Sequence, residues 1–341
     1  MTKGTPLTTK EKKASTPGYG TKSWLAFVST KKTKKHVAAR NWQTGIMWAL
    51  LSPVFLGTVP ILAKLAYASG VNVLTVVAFR TIFAAFILWT ATGLFARHYI
   101  HSSMPAIASS LIAGGINGIG SIFFYASLTR IDASLGQLIN ITYLIFVTLL
   151  LRIAGQSISW LTMLRTGITI FAIFLLTQGG LGPTDWVGVA MMLVAAIMYA
   201  IQLVLSQRIL IDIPAPTMTL YAISAMAIIV SIAWIVQPTD LTTVNIGGWR
   251  AISLMGLATA LARLTLFLGV KSLGSIQTAL LGVLEVIVTI GLASTLLAER
   301  LTATQWIGAA VLVVGILLVR FERGVPKFVD WWRILWRWKI R

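Results

Sequence analysis

The stretch "ALLGVLEVIVTIGLASTLLAERLT", residues 279–302, places one carboxylate, Glu285, in an apolar run with no other charge within a dozen positions on either side. In a bilayer such a group costs about 3 kcal/mol unless it finds a partner. A second stretch, "QLINITYLIFVTLLLRIAGQSIS", residues 137–159, reads as its relative at an offset near 143, with one residue inserted to keep step. Each is followed by a further apolar segment, "WLTMLRTGITIFAIFLL" (160–176) and "ATQWIGAAVLVVGILLV" (303–319). The offset divides the chain into two related halves, 45–180 and 186–320.

Composition sets the solvent. Of 341 residues 57% are hydrophobic and only 11% are charged, under half the share of an ordinary water-soluble domain, and the mean hydropathy is +0.85. Most of the chain therefore faces lipid or itself. The net charge of +19 is confined to the ends: ten of the 28 Lys and Arg precede residue 45 and seven follow residue 319. Charge gathered in two tails does not line a nucleic-acid groove, and no zinc-finger, helix-turn-helix or RNA-module signature is present. The chain has no cysteine, which removes thiolate chemistry, disulfides and Cys-ligated metals. The histidines, His36, His98 and His101, have no acidic residue beside them. Enzyme chemistry, a metal and a cofactor are therefore not expected.

From Gly45 the chain falls into apolar blocks of roughly 20 residues, the length that crosses a bilayer core. They are 45–67, 73–95, 105–127, 131–151, 162–179, 186–206, 216–236, 251–270, 276–297 and 303–320. The expected architecture is an all-α integral membrane protein with ten transmembrane helices as two inverted five-helix repeats. An even count puts both termini on one side, and the basic tails orient that side to the cytoplasm of a plasma membrane. Residues 1–44 read as a basic cytoplasmic tail. Residues 321–341 include "VPKFVDWWRILWRWKIR", too charged to span and rich in Trp and Arg, which suits an interfacial segment on anionic lipid. The simpler reading is an anchor for the last span.

A repeat with an odd number of spans must insert upside down relative to its partner. Inverted halves give two pseudo-symmetric conformations around a midplane site, which is the architecture of secondary transport. A channel filter is not evident. No Gly-rich segment ends in Gly-Lys-Ser/Thr, so an ion or solute gradient rather than ATP is the expected drive. A membrane scaffold or sensor without transport is the alternative; a polar cavity between the halves separates it from a carrier of small molecules.

The sequence resembles the EamA type of the drug/metabolite transporter superfamily over about 45–320. The resemblance rests on Gly57 and Lys64, on "VVAFR" (76–80), "FFYASLTRIDAS" (123–134) and "GVAMMLVAAIMYA" (188–200), and on "LLAERLTATQWIGAAVLVVGILLV" (296–319) with its Glu299, Leu301, Gln305, Gly308 and Gly315. It implies ten spans in two five-span repeats and transport of a metabolite, amino acid or drug-like solute. Two departures stand out. The family's proline early in the fourth span of each repeat is replaced by the Tyr143-Leu144 and Glu285-Val286 regions. Gln156 stands in the first half where the second has Glu299.

Intramembrane polar groups supply the candidate site. At 1.5 Å per residue, Arg263 and Glu285 lie at matching depth on adjacent spans, which predicts an ion pair or a shared site. The rival is a Glu285 that carries a proton, the candidate for proton coupling. Arg80 is expected to face inward, whereas Lys64 can snorkel to the outer headgroups. Tyr125, Tyr143 and Asn140 complete the candidates for substrate or coupling site. Gln137, Tyr199, Gln202 and Asn117 are the other polar groups inside spans; Asn117 and Asn140 are expected to be able to bond across helices without touching substrate. Gly114, Gly115, Gly118 and Gly120 predict close helix packing. Glu299 reads as a cap or a loop ion pair.

Overall fold

A computed structural model describes residues 34–153, 160–178, 185–239 and 241–317. Residues 1–33 of the first tail, the whole of the second and Gln156 lie outside them, whereas 34–44, expected to be tail, are helical and open the first helix. Residues 34–41 belong with a separate N-terminal unit; the rest concerns the unit from Trp42 onward.

Every described element is helical. They are α1 (Lys34–Ala68), α2 (Val73–Phe95), α3 (Met104–Ser127), α4 (Ala133–Asn140), α5 (Tyr143–Ile153), α6 (Trp160–Gln178), α7 (Trp186–Asp212), α8 (Ala215–Val236), α9 (Ile246–Leu273), α10 (Ser275–Leu281), α11 (Val283–Leu296) and α12 (Ala303–Leu317). Short 3₁₀ turns follow α2 at Arg97–Tyr99 and α8 at Leu241–Thr243. Local chemistry sets the starts. Asn72, Asp185 and Asn245 accept from the amides of Leu74, Gly188 and Gly248, capping α2, α7 and α9. Gly274 ends α9 at φ 88°, a conformation that favours glycine.

Among the described residues seven stretches are long and apolar enough to cross a bilayer: 45–68, α2, α3, 133–150, α7, α8 and α9. Three shorter apolar stretches lie in α6, α11 and α12. The burial pattern is inverted relative to a water-soluble protein. Phe86, Phe95 and Ile170 are mostly exposed, while Arg80, Gln202, Arg263 and Glu285 are buried. The chain is therefore a multi-pass membrane protein.

Each of the ten expected segments is largely helical over its described residues, but two differ from a continuous rod. The fourth divides into α4 and α5 at Ile141 and Thr142, and the ninth into α10 and α11 at Gly282. Each break tightens into i→i−3 bonds: Leu144 N to Ile141 O at 3.1 Å and Ile145 N to Thr142 O at 2.9 Å, against Glu285 N to Gly282 O at 2.9 Å. Neither break contains proline. Asn140, Ile141, Thr142 and Gly282 are poor helix formers, and a tightened turn within a helix is a frequent mark of a hinge.

The halves interleave. The most extensive pairings join α3 with α7 and α8, α2 with α9, and α6 with α12. The α3 glycines permit this approach: a Cβ on Gly114 would overlap the backbone of Ala222, and Gly118 and Gly120 press on Ile229 and Met198. Gly115, expected to share that role, has room beside it. On α1, Gly57 abuts Val288 and the Glu285 carbonyl, and its own carbonyl accepts from Thr289 Oγ1 at 2.9 Å.

Candidate functional site

A cavity of about 70 Å³ lies between the halves, room for a few waters and smaller than a drug-sized pocket. The first half contributes Pro60, Arg80, Asn117, Ser121, Tyr125 and Asn140; the second contributes Tyr199, Thr259, Arg263 and Glu285. Helical periodicity explains the wall. Asn117, Ser121 and Tyr125 recur every four residues on α3, and Thr259 and Arg263 are four apart on α9, so each set shares one helix face.

Two guanidiniums dominate the charge. Arg80, 3% exposed, donates from Nη1 to Thr259 Oγ1 at 3.0 Å and lies 4.3 Å from the Tyr125 ring centre. Arg263, 8% exposed, donates to Gln202 Oε1 at 3.1 Å and Asn117 Oδ1 at 3.3 Å, with the Tyr199 ring 5.2 Å away. Neutral acceptors and aromatic faces lower the cost of burying a cation but leave its charge in place. The Nε–H of each arginine is buried without an acceptor.

Glu285 lies in the first turn of α11, just past the break, and is 5% exposed at the cavity wall. The expected ion pair is not formed: Arg263 and Glu285 share the cavity, but the guanidinium turns to Gln202 and Asn117. Gln137 on α4 faces Glu285 within electrostatic reach, yet neither of its amide atoms meets hydrogen-bond geometry. The two breaks touch. The Tyr143 hydroxyl occupies the space a side chain at position 282 would need, and its ring packs edge-on to Tyr199 at 4.7 Å.

Arg80, Arg263, Glu285, Tyr125 and Asn140 thus converge on one cavity, and Tyr143 stands behind it. Lys64 does not join them. It is half-buried beside Asp132, whose carboxyl burial and neighbouring Glu299 push above the usual range while Lys64 draws it down. Glu299 is a cap: its carboxylate accepts from the amides of Ala133 at 2.9 Å and Ser134 at 3.0 Å and from Ser134 Oγ at 2.7 Å. That satisfies the open start of α4 from the opposite half. Of the two asparagines expected to bond across helices, Asn117 does so, to Met226 and Arg263, while Asn140 lines the cavity. Thr259, Ser121 and Tyr67, which donates to the Tyr125 carbonyl at 3.0 Å, were not singled out by sequence; the four-residue spacing from Arg263 and Asn117 was the available signal for the first two.

A buried polar cavity shared by two halves of a helical membrane protein defines a class of solute-handling protein. The EamA-like transporter family matches twice, over residues 43–178 and 186–321, and the chain belongs to that family. It is 26% identical over 233 residues to an uncharacterized transporter of Synechocystis sp., covering 65% of this chain and 69% of that protein. A crystal structure that covers 82% of this chain and 97% of its own matches with a TM-score of 0.62 at 14% identity, and so shares the fold.

Proposed function

We propose that this chain is a secondary transporter that carries a small solute by alternating access, through ten spans arranged as two inverted five-helix halves. In this reading both termini are cytoplasmic and Glu285 is the group that couples protons to transport. The observation that carries the reading is the cavity walled by both halves at their broken helices. Discontinuous helices beside a midplane site allow one half to rock against the other. A non-transporting scaffold gains nothing from two buried arginines and a glutamate, each costing about 3 kcal/mol in lipid.

The test is flux. Purified protein in liposomes is offered a defined mixture of metabolites with and without an imposed pH gradient, and the lumen is assayed by mass spectrometry. At least one solute class should accumulate, faster with the gradient, and Arg263→Ala should abolish it. A correctly inserted protein that moves no solute in either direction returns the scaffold reading.

A further inference from the structure

The charge of the cavity limits what can enter it. Arg80 and Arg263 bring two positive charges and Glu285 one negative charge. Among the described residues no ion pair joins either arginine to a carboxylate. With Glu285 ionised the site carries a net charge of +1 in a low-dielectric interior, where an uncompensated charge is expensive. The donors are in surplus too. Each guanidinium has five N–H hydrogens; Arg80 makes one hydrogen bond to the protein and Arg263 two. The remaining wall mixes the neutral polar groups Asn117, Ser121, Asn140 and Thr259 with aromatic and apolar ones such as Tyr125, Tyr199, Phe124 and Pro60, and the volume suits only a handful of non-hydrogen atoms.

We infer that this cavity is a binding site for a small organic monoanion, whose carboxylate is held by Arg80 and Arg263 while Glu285, in its ionised state, limits the bound charge to one. A monoanion neutralises the site. A dianion leaves it at −1, and a zwitterion leaves the +1 unanswered. The two oxygens of a carboxylate match the fork of a guanidinium, and the aromatic part of the wall takes a short carbon skeleton. Lys64 plays no part, because it lies outside the cavity wall. The inference rests on the transporter reading for its purpose, though binding can be measured without flux.

The experiment is equilibrium binding of radiolabelled lactate to the full-length protein in detergent, with competition by unlabelled malonate, alanine and inorganic phosphate. Wild-type protein should bind lactate saturably, with malonate, phosphate and alanine each at least tenfold weaker competitors. Arg263→Gln should weaken lactate binding at least tenfold. Because it also disturbs Gln202 and Asn117, Glu285→Gln provides the independent check: with the site at +2, lactate should still bind and malonate should gain at least tenfold relative to it. No saturable lactate binding by monodisperse wild-type protein, equal competition by alanine, or an unchanged lactate-to-malonate ratio in Glu285→Gln overturns the inference. If lactate fails to bind while other solutes show flux, the anion site is wrong and the transporter reading stands. Lactate binding without flux of any solute keeps the site and sinks the transporter reading.

Discussion

The two interrupted helices occupy equivalent places in the two halves but carry different chemistry. The first break is followed by Tyr143 and the second by Glu285, and the two positions align in the repeat. The backbone solution is the same in both: a tightened turn, no proline, and a short N-terminal piece whose open amides are capped. The caps differ. Glu299 closes α4 with a carboxylate from the other half, whereas Gln207 closes α10 with a neutral amide, accepting from Ser275 N at 3.0 Å. The two halves thus share a helix interruption, and only the second carries a carboxylate beside it.

Four experiments bear on that difference. The largest effect is expected where the breaks touch. Gly282→Ala puts a methyl into the Tyr143 hydroxyl, so transport and the yield of monodisperse protein should collapse. Tyr143→Phe, which removes that hydroxyl, should restore part of both when combined with it. If Gly282→Ala behaves as wild type, the breaks are not in contact.

The next comparison separates hinge from chemistry. In flux assays Glu285→Gln should lose the response to an imposed pH gradient, while Tyr143→Phe should retain it. Equal responses in the two variants would make the halves chemically equivalent. The caps come third. Glu299→Ala should lower stability by about 2 kcal/mol and Gln207→Ala by about 1 kcal/mol, read as loss of monodisperse protein on heating or in graded denaturant. The reverse order would show that the charge on Glu299 is not what holds α4.

The smallest effect lies outside the bilayer core. Asp185 is kept below the usual carboxylate range by the Gly188 amide and by Arg130, whose Nη1 is 3.0 Å from its carboxylate. A lowered value in the folded state stabilises above the unfolded carboxylate value, and that stabilisation is lost as pH falls through the folded one. Asp185→Asn should therefore lower the midpoint of thermal unfolding slightly at neutral pH, with the difference vanishing in strong acid. Because the pair is exposed, salt should also shrink it.

Much of this was legible in the chain. Apolar blocks gave the helices, because a lipid-embedded backbone must satisfy its own hydrogen bonds. The repeat at an offset near 143 and the ordered motifs pointed to the family. Arg80, Arg263 and Glu285 announced themselves, since a charge in an apolar segment must face inward or find a partner. The breaks were half-legible: the missing prolines drew attention to the right positions, but Gly282 and the Asn140-Ile141-Thr142 run are too ordinary to signal an interruption. Lys64 was the residue most readily misplaced, because it lies near Asp132 at another helix start and away from the cavity.

The amino-acid sequence by itself determined the solvent, the elements, the duplication and the height of each charge along its helix. Only the tertiary structure decided who meets whom. Arg263 and Glu285 share a cavity without pairing, because the rise per residue fixes depth whereas packing fixes the rotation of a helix and the neighbour it faces. Gln202 and Asn117, brought in by α7 and α3, took the arginine and left the glutamate at the wall of the cavity.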